Sequence, residues 1–397
     1  MPFADFTQHD LQGKRVLLRV DFNVPMREGE IVSVERLLAI KETLSCLRER
    51  GARVALLSHF GRPKGNKLPQ YSLKHILPCL EKLLNSPIVF VVDCVGKEVE
   101  RAVNSLPLGG ICLLENVRFY REEEENNLTF ARKLAENFDL YINDAFSVCH
   151  RAHASTVGVT EFLPSFAGCA LKAELEALRR FLHKAKRPIM ALVAGSKIST
   201  KLALLTHLIE KMDKIFIGGA MANSFWSAQG FPVGASLHEE DLKQTVVALL
   251  AQAKKNSCKL ILPVDGIAAE KLQENTACAV VAKDKVESNQ MILDIGPQTI
   301  ALLKQEIDST ATLLWNGPLG AFEVAPFGQG TKEIAQYVGK RVLAGHLEAV
   351  AGGGDTIAAV SQAVPLSDFS YISTGGGAFL TWLEGKTLPA VSVLQTE

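Results

Sequence analysis

The chain has 397 residues, of which 47% are hydrophobic and 22% charged, and its 43 lysines and arginines equal its 43 aspartates and glutamates. A chain of this length is too long to fold around one hydrophobic core of ordinary size, so the sequence predicts two domains. The balanced charge gives no overall attraction to nucleic acid or to membranes. No apolar run reaches the ~18 residues of a membrane span, and the N-terminus has no basic segment followed by an apolar one. We therefore expect a cytoplasmic protein that binds neither nucleic acid nor membrane.

Short apolar or β-branched runs alternate with longer amphipathic stretches along the chain, a pattern typical of parallel sheet covered on both faces. In the first half, the predicted strands are 15–20, 53–57, 88–92, 110–114 and 140–142. In the second half, they are 189–193, 214–217, 260–264 and 312–315. The sequence therefore predicts an α/β protein with two doubly wound, Rossmann-like parallel-sheet domains.

A helix is predicted between the two sets of strands. Leucines at 171, 175, 178 and 182 have helical spacing, and a basic run after them ends at Pro188. We assign 1–170 to the first domain, 171–188 to an interdomain helix and hinge, and 189–382 to the second domain.

Polar residues follow the first-half strands, and in such sheets ligands bind beyond the carboxyl ends of the strands. A single arginine there is usually a surface ion pair, but several at successive strand ends would converge on one cleft. Guanidinium groups match carboxylate and phosphate oxygens. The candidates for holding a small, strongly anionic molecule are Arg36, Arg62, Arg118, Arg151 and His59, and those for binding its hydroxyl are Asp21 and Asn23.

The second half offers different chemistry. Lys197 and Lys201 follow a glycine turn after a strand, and we expect both at a helix N-terminus, where lysine suits a phosphoryl group in transit. Taken alone, they would more simply be solvent-facing lysines. Glu323 could accept hydrogen bonds from a ribose, and Asp355 is a candidate ligand for Mg²⁺ at phosphates.

Two glycine-rich runs, 351–356 and 373–378, open the backbone to an approaching anion. If helices follow, their unpaired amides and partial positive charge favour phosphate. A pair of tight turns is the plainer alternative for either run alone.

Several common motifs are absent from the sequence. Gly385-Lys386-Thr387 ends like a Walker A loop, but Leu380 stands where the leading glycine belongs, and no Gly-x-Gly-x-x-Gly, Gly-x-Ser-x-Gly or His-Glu-x-x-His occurs. The eight cysteines include no Cys-x-x-Cys pair, which argues against a disulfide framework or a zinc site.

Six further motifs occur together: Arg-Val-Asp-Phe-Asn-Val-Pro at 19–25, Ser-His-Phe-Gly-Arg-Pro at 58–63, Leu-Leu-Glu-Asn-Val-Arg-Phe at 113–119, His-Arg-Ala-His-Ala-Ser at 150–155, Trp-Asn-Gly-Pro at 315–318 and the triple glycines. On these motifs the chain resembles the phosphoglycerate kinase family from about Leu17 to Lys386. That resemblance implies a monomeric, glycolytic kinase that moves a phosphoryl group between 1,3-bisphosphoglycerate and Mg·ADP, giving 3-phosphoglycerate and ATP by hinge-bending closure and direct in-line transfer.

The resemblance also implies residue roles. It places the first-half candidates around phosphoglycerate, and Lys201, Glu323 and Gly353, Gly354, Asp355 and Thr356 at the nucleotide, with Asp355 near Mg²⁺. The residues implied in transfer itself are Arg36, Lys197, Lys201, Gly353 and Gly376. The tail 383–397 is implied to return to the first domain, with a second hinge close to it.

The sequence departs from the family pattern at Ser33, Ser147, Cys149, Ala194 and Thr381. None of these removes a charged group assigned above, so the departures bear on fine kinetics. Two alternatives remain open. One is a binding protein that closes on a phosphorylated metabolite without chemistry, and the other is a nicotinamide dehydrogenase, which a doubly wound fold would permit.

Overall fold

The computed structural model describes residues 3–27, 30–31 and 34–395, so the departure at Ser33 lies outside the described residues. The chain divides into two compact units. The first runs up to Glu176 and includes the segment from Thr387, and the second is Ala177–Lys386. The first division point falls inside the segment that was predicted as the connecting helix.

The first unit contains a sheet of six parallel strands, in the order β5-β6-β4-β1-β7-β8, and a small antiparallel pair formed by β2 and β3. The strands are β1 Arg15–Arg19, β2 Met26–Arg27, β3 Glu30–Ile31, β4 Arg53–Leu57, β5 Val89–Val91, β6 Ile111–Leu114, β7 Leu140–Asn143 and β8 Ser165–Ala167. The five strands expected here are confirmed. β8 was not predicted because it is only three residues long and lies between Pro164 and Gly168.

The helices that begin in the first unit are α1 Glu35–Ala39, α2 Lys41–Glu49, α3 Leu77–Leu84, α4 Lys97–Ser105, α5 Arg121–Glu124, α6 Leu128–Ala135 and α7 Cys169–His183. They cover the sheet with apolar side chains at helical spacing, as α4 does by burying Val99 and Val103. Because β6 and β7 are wholly buried, the polar groups that follow them are held by a rigid frame.

The second unit contains another sheet of six parallel strands, in the order β11-β10-β9-β15-β16-β17, and an antiparallel sheet β13-β12-β14. The strands are β9 Ile189–Ala194, β10 Lys214–Gly218, β11 Lys259–Ile261, β12 Asp265–Ala269, β13 Cys278–Ala282, β14 Met291–Ile295, β15 Thr312–Asn316, β16 Glu348–Gly352 and β17 Tyr371–Ser373. The predicted α/β class with two parallel sheets is confirmed. β11 ends before the predicted Val264 because Pro263 lacks the N–H that a sheet requires.

The later helices are α8 Leu202–Ile209, α9 Ala220–Ala228, α10 Lys243–Lys255, α11 Pro297–Asp308, α12 Gln329–Leu343, α13 Gly354–Ser361, α14 Gly377–Leu383 and, in the first unit, α15 Pro389–Ser392. Short 3₁₀ helices lie at Phe6–Gln8, Pro69–Tyr71, Leu73–Ile76, Val117–Phe119, Phe146–Val148, Gly158–Glu161, Glu240–Leu242 and Leu366–Asp368. Both glycine-rich runs lead into helices, α13 and α14, which is the condition under which the sequence favoured phosphate binding there. In the part of the chain that the structure describes, no helix has the length and apolarity needed to cross a membrane.

Candidate functional site

The loops after β1 and β4 join several of the predicted substrate residues. The Asp21 carboxylate accepts a hydrogen bond from the Asn23 amide at 3.0 Å and pairs with Arg36 Nη1 at 2.8 Å. Arg36 Nη1 also donates to the Asn23 carbonyl at 2.9 Å, and Asn23 Oδ1 accepts the Gly61 N–H at 2.8 Å. These contacts fix the direction of the half-buried Arg36 and connect the two loops.

Arg118 lies in the 3₁₀ helix Val117–Phe119 that follows β6, and its side chain is almost fully buried. Its Nη1 donates to the Gly61 carbonyl at 2.9 Å, and its Nε lies 3.3 Å from Glu124 Oε1. Nη2 is buried and has no hydrogen-bond partner among the described residues. Burial and the charge of Arg151 lower the pKa of Arg118 to about 10. Because a buried, unsatisfied cationic donor is costly, this group is suited to an anionic ligand.

His59 is buried at the end of β4 and is surrounded by positive charge. Burial, and then the charges of Arg19 and Arg118, hold the pKa of His59 well below its ordinary value; Arg151 and Arg36 act in the same direction. The imidazole is therefore neutral at physiological pH. The excess of guanidinium groups here fits a small molecule with several negative charges.

The remaining two arginines of the predicted set behave differently from each other. Arg151 Nε donates to His150 Nε2 at 3.1 Å, while burial and the Arg151 charge lower the pKa of His150 to about 4. Arg62 is exposed and makes no hydrogen bond or ion pair with the described residues. Arg62 is thus the member of the set that the fold does not fix.

Sequence reasoning missed buried polar residues beside this cluster. Glu123 belongs to a run of four glutamates at 122–125 and is not among the candidates above, yet it is fully buried and accepts hydrogen bonds from the Ser155 amide at 2.8 Å and from Ser155 Oγ at 2.6 Å. Arg19 opens the first motif and is also buried. For Arg19, the signal available in the sequence was a charged residue inside the predicted strand 15–20.

The second unit contains a cleft of about 610 Å³ at the carboxyl ends of β9 and β15. Its lining includes the predicted residues Lys201, Glu323, Gly353, Gly354, Asp355 and Thr356. Lys197 and Gly376 do not line it.

Lys201 is held inside this cleft by two acceptors. Its Nζ donates to the Ala194 carbonyl at 2.8 Å and to Asn316 Oδ1, while Asn316 Nδ2 donates to the Gly352 carbonyl at 2.8 Å. Burial lowers the pKa of Lys201 to about 8, against the smaller opposing effect of Asp355. A cation in this setting is poised to meet phosphate oxygens.

Of the two lysines expected at a helix N-terminus, Lys201 lies there and Lys197 does not. α8 begins at Leu202, Lys201 is its N-cap residue, and Lys197 is exposed in the turn before it. Ser199 bonds through its amide and hydroxyl to Glu239, and Thr200 Oγ1 donates to the Lys197 carbonyl. The local Thr200–Lys197 hydrogen bond competes with a helical backbone, and the bonds to the distant Glu239 hold Ser199 in the turn before α8.

The N-terminus of α13 forms one wall of the cleft. Gly353 precedes the helix with a φ of +104°, and the Thr356 hydroxyl in its first turn accepts the Gly317 N–H at 2.7 Å. Gly376, with a φ of +50°, occupies the same position before α14. Glu323 and Asp355 are both exposed. These glycines place free amides where a phosphate can reach them.

The carboxylate of Asp355 is suited to Mg²⁺ that is bound together with phosphates. Asp355 presents a carboxylate in the first turn of α13, and no cluster of three or more His, Cys, Asp or Glu side chains with metal-binding geometry occurs among the described residues. Mg²⁺ commonly uses one or two carboxylates, substrate phosphates and water instead of an all-protein cage.

The departures from the family pattern have modest local effects. Ser147 Oγ donates to Asp21, and Cys149 Sγ donates to the Ala145 carbonyl while burial raises the pKa of this thiol to about 12. Ala194 supplies its carbonyl to Lys201, and Thr381 Oγ1 donates to the Gly377 carbonyl inside α14. Of these, Ser147 alone adds a side-chain hydrogen bond to a predicted substrate residue.

Comparison with known proteins agrees with this arrangement. The family model for phosphoglycerate kinase matches residues 6–386. The phosphoglycerate kinase of Bartonella quintana is 49% identical over 395 residues, covering 100% of both chains, and that of Methylorubrum populi is 50% identical over 387 residues, covering 98% of this chain and 97% of the relative. The solved phosphoglycerate kinase from Coxiella burnetii superposes with a TM-score of 0.88 at 40% identity over 99% of both chains. The chain therefore belongs to the phosphoglycerate kinase family.

Proposed function

We propose a division of the kinase reaction between the two units of this chain. The enzyme transfers a phosphoryl group reversibly between 1,3-bisphosphoglycerate and ADP, giving 3-phosphoglycerate and ATP in glycolysis. In our proposal the first unit binds the phosphoglycerate and the second binds the nucleotide. The observation that carries the proposal is the buried guanidinium of Arg118, whose Nη2 lacks a hydrogen-bond partner among the described residues while the positive charges of Arg151 and Arg19 act on it.

The first-unit residues have complementary roles in this proposal. Arg118, Arg151 and Arg62 pair with the phosphate and carboxylate of the glycerate, because planar guanidinium groups match these anions bidentately. Asp21 and Asn23 bind its hydroxyl, and His59 contributes a neutral donor. Arg36, fixed by Asp21 and Asn23, faces the phosphoryl group in transit.

The second-unit residues hold the nucleotide. Amides of Gly353 and Gly354 at the start of α13 cradle phosphates, Thr356 shapes that turn, and Glu323 accepts from the ribose. Lys201 neutralises charge on the nucleotide phosphates. Lys197 and the turn at Gly376 stabilise the negative charge of the phosphoryl group during its transfer. Asp355 holds Mg²⁺, which when bound spreads the negative charge of the phosphates.

The chemistry needs no protein nucleophile, because an acyl phosphate is already activated. Catalysis then depends on alignment of donor and acceptor at roughly 3–3.5 Å and on stabilisation of spread negative charge. Since each unit binds one substrate, transfer requires a hinge motion that brings the ligands together and excludes water. We assign the hinges to 171–188 and to the segment near the start of the 383–397 tail, whose last described residue is Gln395.

Turnover of 3-phosphoglycerate with Mg·ATP tests the proposed function. The 1,3-bisphosphoglycerate formed is followed by coupled reduction, and activity should disappear with EDTA and return with added Mg²⁺. Binding of both ligands without turnover would favour the alternative of a non-catalytic binding protein.

We further propose that the enzyme works as a cytoplasmic monomer without nucleic-acid or membrane partners. Sedimentation of the purified protein tests the oligomeric state.

The lowered pKa of Lys201 predicts a pH effect on nucleotide use. Below about pH 8 the free enzyme carries the cation, and as pH rises through that value the charge is lost, so kcat/KM for Mg·ATP should fall. Between about pH 8 and 10.5 the unfolded chain binds more protons at this site, so the contribution of Lys201 to stability rises with pH. Lys201→Arg, which stays charged, should flatten the activity profile; an unchanged profile would refute the assignment.

Replacing Asp355 by asparagine should raise the Mg²⁺ concentration needed for half-maximal turnover by about tenfold or more. The amide keeps the side-chain shape but removes the charge that attracts the cation. Titration of Mg²⁺ at fixed ATP measures the effect. Asp241→Asn is the matched control, since Asp241 is also exposed but does not line the cleft. Equal Mg²⁺ dependence in the two variants would contradict the role of Asp355.

A further inference from the structure

Arg19 is a buried arginine that the proposed mechanism does not use. It ends β1, its side chain is 1% exposed, and no carboxylate forms a direct ion pair with it among the described residues. Its Nε donates to Ser155 Oγ at 2.9 Å, its Nη1 donates to the Val20 carbonyl, and its Nη2 lies 3.2 Å from His59 Nδ1. Burying a cation this completely is costly, so its surroundings must compensate the charge.

Glu123 supplies that compensation through Ser155. Ser155 Oγ donates its proton to Glu123 Oε1 at 2.6 Å, so the oxygen is left to accept the N–H of Arg19. Burial would raise the pKa of Glu123, but His153, whose Nδ1 lies 3.7 Å from Glu123 Oε1, and the charge of Arg19 hold this pKa below its ordinary value. Glu123 is therefore ionised, and the chain Glu123–Ser155–Arg19 has one fixed direction of hydrogen bonding.

The contact between Arg19 and His59 decides where the proton of His59 lies. A guanidinium group only donates hydrogen bonds, so His59 Nδ1 must accept from Arg19 and the ring proton must be on Nε2. The competing acceptor, Asp21 Oδ1, lies 4.0 Å from Nδ1, too far for a hydrogen bond. Apart from Asp21, the charged groups acting on His59 are Arg19, Arg118, Arg151 and Arg36, all of which oppose its protonation.

We propose that Arg19 is a positioning residue that fixes His59 as the neutral Nε2–H tautomer. Nε2 makes no hydrogen bond with the described residues, so its N–H is available to an oxygen of the anionic ligand. This inference rests on the proposed role of the first unit in binding phosphoglycerate. Arg19 itself does not touch the ligand. It donates a hydrogen bond to Nδ1 of His59 and so fixes the orientation of the imidazole ring.

Nitrogen NMR of the histidine-labelled protein tests the proposal directly, with the His59 signals assigned by their loss in His59→Gln. In the unmodified protein, long-range ¹⁵N–¹H couplings should show a protonated Nε2 and a bare Nδ1, unchanged between about pH 6 and 8. A protonated Nδ1, or an imidazolium in that range, would overturn the proposal. This readout needs no turnover, so it stands apart from any failure of the proposed function.

Variants extend the test. Arg19→Met should give mixed His59 tautomers and raise KM for 3-phosphoglycerate by about tenfold, the effect of one lost donor to a charged group, with KM for Mg·ATP unchanged. Arg19→Lys, which keeps a donor-only cation, should restore part of the single-tautomer signal. Arg15→Met is the matched control, because Arg15 begins the same strand and pairs with Asp139. A folded Arg19→Met protein with the original tautomer would refute the role, and if that variant fails to fold, the unmodified protein still decides.

Discussion

Replacing Arg36 by methionine should lower kcat by about 10²–10³-fold with little change in KM for Mg·ATP. In our proposal this guanidinium faces the phosphoryl group where negative charge spreads in the transition state. Asp21 and the Asn23 carbonyl fix its direction before the substrate binds, so little reorganisation is needed during transfer. Steady-state kinetics in both directions measure the loss.

Retained folding is expected in Arg36→Met because Asp21 keeps its hydrogen bonds from the Asn23 amide and from Ser147 Oγ. Circular dichroism and the melting temperature check this point. Arg101→Met is a suitable control, since Arg101 forms an exposed ion pair with Glu98 on α4 and such pairs contribute little. A loss of kcat no greater in Arg36→Met than in Arg101→Met would remove Arg36 from the catalytic set.

Replacing Gly353 by alanine should raise KM for Mg·ATP by about 10- to 10²-fold, since a displaced turn loses an amide hydrogen bond to phosphate, worth roughly 1.5–3 kcal/mol. An added Cβ would lie 2.8 Å from Asn316 Nδ2, at a φ of +104° that side chains rarely adopt. Asn316 accepts the hydrogen bond of Lys201 and donates to Gly352, so its displacement would disturb both the lysine and the start of α13. Calorimetric titration with Mg·ADP measures the lost affinity.

Gly345→Ala is a control that separates the backbone strain caused by Gly353→Ala from its effect on nucleotide affinity. Gly345 also has a positive φ, +72°, but an added Cβ there meets no atom within 4 Å. Both variants should lose roughly 1–3 kcal/mol of stability from backbone strain, and only Gly353→Ala should lose nucleotide affinity. Similar affinities in the two proteins would mean that the Gly353 turn does not contact the nucleotide.

Much of the fold could be predicted because parallel strands buried on both faces leave a strong local signal. The mostly apolar strands β1, β4 and β9 were placed from sequence. β13 escaped prediction because its residues are mostly exposed, and β17 because it has three residues before a glycine run. Such strands are specified by their partners more than by their own composition.

The sequence by itself indicated the α/β class, most strands of the two parallel sheets, the two glycine-rich runs and the kinds of charge available at the strand ends. Only the tertiary structure decided which charged groups are buried and what they meet. Arg19 and Ser155 are 136 positions apart, and Lys201 and Asn316 are 115 apart. Desolvation and charge pairing depend on such distant neighbours, so the neutral His59, the unsatisfied Arg118 and the lowered pKa of Lys201 follow from chain folding and not from local pattern.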